Sequence, residues 1–454
     1  MTIRVDLAVV TPARYAWWWA SCGMILLLGG LAIGCAAEPR EPWLGIDLRM
    51  RPVVAGTRPA SGPALPADHQ SKLRLVSELG APHLRVDLMD WARIQPRNDV
   101  PYNFSSSDRF VRLAQRHGMD ILAVCAAVPA WAAAGPTSRL PAREHAEAFS
   151  AFVRAFVERY DGDGVRDMPG LRRPIRSFEC FENPEGEPTP DYAFWLKRFH
   201  DAAKFASSKS IVVLGSLRCP GLQPPTDPPS DAPTYFERLL AEEVLQGSGG
   251  ACFDVVGFSN YPRHYPGRPA FEHAVAYLRQ ALAARRLDRP IWLTAFGADS
   301  RTPEASGEDR QAADLLCWAI HGRSVGIDRL YQHTRSDAQP EAGFGPSEAF
   351  GLVREGEVPP SRKPAFHAVA LLLDVLRAAP QVTRRADGIY MLSGDKEPTY
   401  VLWRVARYDP SSFLIPGWWE VRTLAGQRLV RQGADIQVTD QPIFLQRTRS
   451  PFIR

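Results

Sequence analysis

The sequence predicts an α/β protein, a (β/α)8 or TIM barrel followed by a small all-β, sandwich-like C-terminal domain, and three observations carry that expectation. Short apolar runs alternate with amphipathic helical stretches from Trp43 to about Pro380, the pattern of repeated βα units around a parallel sheet. Eight such runs can be counted, the number a closed barrel needs. After Ala378 the texture changes to strands separated by turns, with no helix between them, which marks an antiparallel module.

Taken in order, the runs are Trp43 to Leu48, His83 to Leu88, Asp120 to Ala126, Ile175 to Phe181, Ile211 to Gly215, Phe253 to Phe258, Pro290 to Phe296 and Ile327 to Tyr331. Apolar residues at helical spacing lie between them, over Asp108 to His117, Arg143 to Tyr160, Asp191 to Ala206, Tyr235 to Leu245, Phe271 to Arg285 and Asp309 to His321. A doubly wound sheet is the competing architecture, and it would carry a Gly-rich phosphate loop after its first strand. Gly45 stands alone there. Leu372 to Ala378 reads as a last barrel helix. The expected strands beyond it are Gly388 to Leu392, Thr399 to Val405, Trp418 to Thr423, Arg428 to Val430, Ile436 to Val438 and Ile443 to Gln446. The resulting division is an N-terminal address over 1–37, the barrel over 38–380 and the β domain over 381–454.

Composition narrows the function. A chain of 454 residues that is 45% hydrophobic is long and apolar enough to fold around large cores, which excludes global disorder. Its 54 basic against 50 acidic residues leave a net charge of +4, too balanced for a dedicated nucleic-acid binder. Twelve Trp residues suit either a large core or platforms on which flat sugar rings stack. Beyond Cys22 and Cys35 the cysteines are Cys125, Cys180, Cys219, Cys252 and Cys317, each in or beside an apolar run. Their spacing fits buried single thiols, and neither a metal nor a cofactor is expected.

Arg4 and Arg14 precede an uncharged stretch from Tyr15 to Ala37, the pattern of a secretory signal or membrane anchor. Its end, Leu31 to Cys35, resembles a bacterial lipoprotein box, which implies lipidation at Cys35. An uncleaved anchor or ordinary secretion would export the remainder equally well. The expected location is therefore the cell envelope, on a membrane.

In such a barrel the chemistry sits at the C-terminal ends of the strands. There the chain resembles the clan A glycoside hydrolases, and glycoside hydrolase family 39 most closely. The likeness is carried by Leu84, Arg85, Val86, Asp87 and Leu88 with Trp91, Ile94, Gln95 and Pro96, and by Val128, Pro129, Ala130 and Trp131. It continues through Phe253 to Val256, Tyr261 and Pro262, then Phe350, Gly351 and Leu352 with Lys363 to Ala368. The resemblance implies retaining glycoside hydrolysis by two carboxylates about 5 to 5.5 Å apart. It also implies an acid/base Glu ending the fourth strand and a nucleophile Glu ending the seventh. At the first position the chain has Asn183, with Glu182 and Asn183 in exchanged order, and at the second it has Ala295. An amide supplies no proton and a methyl group cannot attack.

Strict strand alternation expects the Glu182 side chain to turn from the mouth toward the helices, unless the strand end bulges. Glu182, Glu185 and Asp299 are the possible substitutes for the missing pair, with Glu187 a further acid on the loop after the fourth strand. Carbohydrate contacts are expected from Arg85, Trp91, Trp131, Glu179, Asn183, Tyr261, Tyr331, Gln332 and His333. Against this, Arg85 and Glu179 would also satisfy one another inside the barrel, and Trp91 and Trp131 would serve equally in a core. The sixth strand departs from the family too, reading Ser259, Asn260, Tyr261 where the family usually has a His. The expectation is an exported, glycosidase-like pseudoenzyme that binds a polysaccharide; an active hydrolase with relocated carboxylates is the alternative. A Ser-His-Asp hydrolase is set aside, since the sequence has no Gly-x-Ser-x-Gly elbow.

Overall fold

The computed structural model describes residues 42–48, 67–135, 138–218, 234–245, 252–261, 268–301, 307–333, 349–354, 361–404, 413 and 416–449. The expected export address, with Cys22 and Cys35, lies outside the described residues, as does Cys219. Among the described residues no helix is long and apolar enough to cross a membrane.

Eight parallel strands close into a barrel in chain order, and β8 returns to pair with β1. They are β1 (Leu44–Asp47), β2 (His83–Asp90), β3 (Asp120–Ala127), β4 (Ser177–Cys180), β5 (Ile211–Arg218), β6 (Val255–Asn260), β7 (Ile291–Phe296) and β8 (Arg329–His333). The connecting helices are α1 (Ala67–Leu79), α2 (Trp91–Ile94), α3 (Ser105–Arg116), α4 (Ala146–Tyr160), α5 (Thr189–Ala206), α6 (Tyr235–Ala241), α7 (Arg268–Ala284), α8 (Gly307–Ser324) and α9 (Pro364–Ala378). Each of the eight expected runs supplies one barrel strand. The helices form because their apolar residues fall on one face. In α4 the large buried side chains are Phe149, Phe152, Val153, Phe156, Val157 and Tyr160, a spacing of three and four that turns one stripe to the barrel. Pro364 opens α9 at a position where its missing N–H costs nothing.

The lumen is layered. Leu122, Val213, Val255, Trp292 and Tyr331 form an apolar cluster, and the layer above it is polar, with His333 two residues beyond Tyr331 on β8 and Arg85 on β2. Gly45 is required in the lower layer, because a Cβ there would lie 2.7 Å from the His83 carbonyl and 3.0 Å from the Tyr331 ring. Cys125, Cys180, Cys252 and Cys317 are free and buried, as their spacing suggests.

The C-terminal module is one six-stranded antiparallel sheet among the described residues. Its strands are β9 (Gln381–Ala386), β10 (Ile389–Ser393), β11 (Thr399–Leu402), β12 (Trp418–Arg422), β13 (Arg428–Gln432) and β14 (Ile443–Thr448), in the order β13-β12-β14-β11-β10-β9. Alternation along the strands gives it two apolar faces. Tyr390, Val401 and Phe444 join the core shared with the barrel. Ile389, Leu402, Trp419, Val421 and Leu445 face a second cluster, completed by Ile436 and Val438. The expected strand over Ile436 to Val438 is therefore a correction: these two residues cover the sheet from an irregular segment after a 3-10 turn at Gly433–Asp435. The sheet's sixth strand is instead β9, an edge strand with no fully buried side chain. Specific polar contacts tie the module to the barrel. Trp43 Nε1 donates to the Pro380 carbonyl at 2.9 Å, and the fully buried His321 Nδ1 lies 2.9 Å from the Tyr390 hydroxyl.

Candidate active site

Arg85 organises the barrel mouth. Its neighbours Leu84 and Val86 belong to the core cluster outside the lumen, so period-two alternation turns Arg85 inward, where it is fully buried. Its Nε and Nη2 donate to the two oxygens of Glu179 at 2.7 and 2.8 Å. Nη1 donates to Asp47 Oδ1 at 3.0 Å, and Nη2 also donates to Glu182 Oε1 at 2.5 Å. Asp47 Oδ2 in turn lies 2.8 Å from His333 Nδ1. Side chains from β1, β2, β4, β8 and the turn after β4 thus form one network around a single cation.

The electrostatics follow from one guanidinium meeting three carboxylates. Burial penalises the charge on Arg85, but Glu179, Glu182 and Asp47 outweigh it and hold the guanidinium well above its ordinary pKa. Glu179 is pushed up, first by burial; the pull of Arg85 opposes this, and the like charges of Glu182 and Asp47 add to it. Arg85 is consequently a structural partner of Glu179, and neither side chain is open to a ligand: both are 0% exposed.

The position of Glu182 overturns the expectation from strand alternation. Cys180 and Phe181 are both buried in the core cluster, and Phe181 stacks on Phe149 of α4 with ring centroids 5.7 Å apart. Two successive residues on the helix side amount to a bulge, and Phe181 accommodates it at φ 56°. Glu182 is returned to the mouth. The partner strand is built for this distortion, since a Cβ at Gly215 would lie 2.1 Å from the Phe181 carbonyl oxygen and 2.7 Å from that of Cys180. Tyr192 of α5 fills the broken ladder: its hydroxyl donates to the Cys180 carbonyl at 2.9 Å and accepts from the Gly215 N–H at 2.9 Å. Tyr192→Phe would leave both backbone groups without their bridge, and we expect a loss of about 1–3 kcal/mol in urea unfolding; unaltered stability would rule out the bridging role.

Asn183 follows at φ 48°, a region Asn tolerates better than most residues. It lines a cavity of about 220 Å³ beside the mouth with Arg139, Glu185, Glu187 and Arg218. Glu185 Oε1 accepts from the Arg218 N–H at 2.6 Å, and burial pushes its carboxyl up. Glu187 accepts from the Arg139 N–H at 2.9 Å, bracing the loop before α4.

On the opposite wall, β7 carries one extra residue relative to both neighbours, for Phe258 and Ser259 pair with Leu293 and Ala295. Leu293 and Phe296 belong to the core outside the lumen, which leaves Thr294 and Ala295 between them on the lumen side. Thr294 Oγ1 donates to Ser216 Oγ at 2.9 Å. Ala295 adds only a buried methyl group. Asp299, the loop acid beyond it, is gripped by Arg301 through Nε at 3.0 Å and Nη2 at 2.6 Å. Burial would raise its carboxyl, but the Arg301 hydrogen bonds prevail and lower it.

The other expected contacts separate into two groups. Tyr261, half-buried, packs on Phe350 at 5.3 Å and edge-on to His333 at 5.7 Å, forming an aromatic wall at the mouth. Trp131 is half-buried, with its Nε1 bonded to the Gln95 carbonyl at 3.1 Å. Trp91, Tyr331 and Gln332 do not reach the mouth. Trp91 is a core residue stacked on Phe152 at 5.4 Å, and Tyr331 lies in the apolar lower layer. Gln332 is buried and donates to the carbonyls of His333 and Phe350 at 2.7 and 3.2 Å. Sequence reasoning passes over Asp47 as a site residue and meets Phe350 only as part of the family likeness. Asp47 carried a usable signal, a carboxylate closing the otherwise uncharged run Leu44, Gly45, Ile46.

Among the described residues one carboxylate group has metal-ligand proximity, Asp161, Asp163 and Asp167, whose oxygens approach within 4.8 Å. Those oxygens accept backbone N–H groups of their own loop, from Gly162, Asp163, Gly164 and Val165. At the mouth the cation is Arg85 itself.

No protein-family model matches the sequence, and no curated protein matches it. Solved structures do resemble the fold. A family 39 glycoside hydrolase from Bacteroides cellulosilyticus WH2 is 17% identical, with a TM-score of 0.63 over 90% of this chain and 82% of that one. A family 39 β-xylosidase from Caulobacter crescentus is 14% identical, with a TM-score of 0.60 over 90% and 98%. The family 39 enzyme of Xanthomonas axonopodis pv. citri is 14% identical, with a TM-score of 0.59 over 93% and 100%. The chain therefore has the fold of these glycoside hydrolases.

Proposed function

We propose that this chain is an exported, membrane-anchored protein that binds a polysaccharide in a glycosidase-like barrel and does not hydrolyse it. One observation carries the reading: among the described residues Asp47, Glu179 and Glu182 are gathered on Arg85, while the opposite wall offers Ala295. Hydrolysis needs an acid on one side of the anomeric carbon and a second carboxylate facing it. Asp47 and Glu179 are buried beneath the mouth, and Asp299 is held by Arg301. Of the three carboxylates on Arg85, Glu182 combines an inward position with access, its side chain being 17% exposed. What remains suits recognition: the Tyr261 and Phe350 rings offer apolar faces, and Glu182 accepts hydrogen bonds from sugar hydroxyls.

A working hydrolase with relocated carboxylates is the second reading, and the inward turn of Glu182 is the observation in its favour. Affinity electrophoresis of the purified full chain in gels containing surface polysaccharides separates the two, run beside an assay for new reducing ends. We expect retarded migration in at least one glycan and no reducing ends above the protein-free control. Glu182→Gln should weaken the retardation without other change. Reducing ends that disappear in Glu182→Gln would reverse the conclusion in favour of the hydrolase.

A further inference from the structure

The opposite end of the barrel holds a second pocket, unrelated to the mouth. A cavity of about 330 Å³ opens between the starts of β2, β3, β4, β5 and β8, and its lining includes Arg172, Arg173, Arg176 and Arg329 against a single carboxylate, Asp120. Arg173 already pairs with Asp120, through Nη2 at 2.7 Å. Arg329 lies over the Trp292 ring at 4.8 Å, fixed from within the barrel. Arg172 and Arg176 are exposed and have no ion-pair partner among the described residues. The acidic group of Asp161, Asp163 and Asp167, on the same β-strand connection, does not line the cavity.

Four guanidinium groups around one carboxylate leave an excess of positive charge in a concave, partly desolvated space. Planar forks of this kind match the oxygens of a phosphate group. The inner wall adds Ser177 and Tyr331, both more than nine-tenths buried, which carry hydroxyl groups. The positive field is felt by a neighbour: burial first, then the charges of Arg329 and Arg173, push the buried His83 down to about 3.

We propose that this basic pocket binds a phosphate group, and that an anionic phospholipid headgroup supplies it. The chain enters the barrel at the rim of the pocket. The Trp43 carbonyl accepts from the Leu330 N–H at 3.0 Å, next to Arg329, and Pro42 bonds His83 through its backbone. Cys35 precedes Pro42 by seven residues, a tether of at most roughly 25 Å. A membrane holding that segment therefore lies within reach of this face. The choice of headgroup rests on the anchored reading above; the phosphate site does not.

The test uses the full chain in a nonionic detergent, titrated by calorimetry with short-chain phosphatidylglycerol, short-chain phosphatidylcholine and inorganic phosphate. We expect saturable phosphatidylglycerol binding that weakens with salt, falls about tenfold or more in Arg172→Ala/Arg176→Ala, and has no phosphatidylcholine counterpart. Arg329→Gln should act in the same direction. Saturable inorganic phosphate with no phosphatidylglycerol binding would keep the phosphate site and overturn the headgroup. Equal titration curves for wild type and double variant, or no saturation by either ligand, would overturn the site. Polysaccharide retardation measured on the same double variant reports the mouth separately, so failure at one end is distinguishable from failure at the other.

Discussion

Arg85→Ala is expected to cost about 3–5 kcal/mol of folding stability, because it leaves three carboxylates clustered without their cation. Asp47 and Glu179 are buried and have no route to solvent without rearrangement. The loss should depend on pH with a predictable sign. Burial already holds the Glu179 carboxyl above its usual range, so its protonated form favours folding; that contribution is complete below the unfolded value of about 4.3 and is lost as pH rises through the folded value. Without the guanidinium the folded value climbs further. The deficit of the variant relative to wild type should then widen as pH rises above that unfolded value, as read by urea unfolding at several pH values. A deficit that stays constant with pH would mean that the cluster does not carry the effect.

Gly215→Ala should be nearly as damaging, although it adds one methyl group. The new Cβ would meet two backbone carbonyls at 2.1 and 2.7 Å, and backbone cannot swing aside as a flexible side chain does. Either β4 and β5 separate or the bulge at Phe181 flattens, at about 3 kcal/mol or more. A flattened bulge returns Glu182 to the helix side, so polysaccharide binding should fall together with the melting temperature. Gly135→Ala is the matched control, since nothing lies within 4 Å of a Cβ there. Calorimetry showing the same melting temperature for both variants would remove the steric argument for the bulge.

The sequence makes the barrel legible for a physical reason. Its strands are apolar toward both lumen and helices, so each appears as a continuous run between polar helix faces. Elements with less apolar content are harder to see. Helix α1 buries Leu73, Val76 and Leu79 in a stretch that is mostly polar, and β9 exposes most of its side chains. Conversely, Ile436 and Val438 look like a strand because they are buried, yet they cover a sheet from outside it. At the site, the pairing of Arg85 with Glu179 was open to sequence reasoning because both sit at inward positions. The turn of Glu182 was not. It depends on a bulky residue, Phe181, held at positive φ by contacts with Gly215 on another strand and Tyr192 on a helix, and no local pattern encodes that arrangement.

The continuity of the core across β10, β11 and β14 has a consequence for how the molecule comes apart. Tyr390, Val401 and Phe444 are packed in the same apolar mass as the barrel helices, and the His321 imidazole of α8 meets a hydroxyl supplied by the sheet. Cutting the chain after Pro380 would strip a flank of the barrel bare and strand a buried imidazole. The C-terminal sheet is thus less a detachable accessory than a final wall of the barrel, and the two parts are expected to melt in one calorimetric transition.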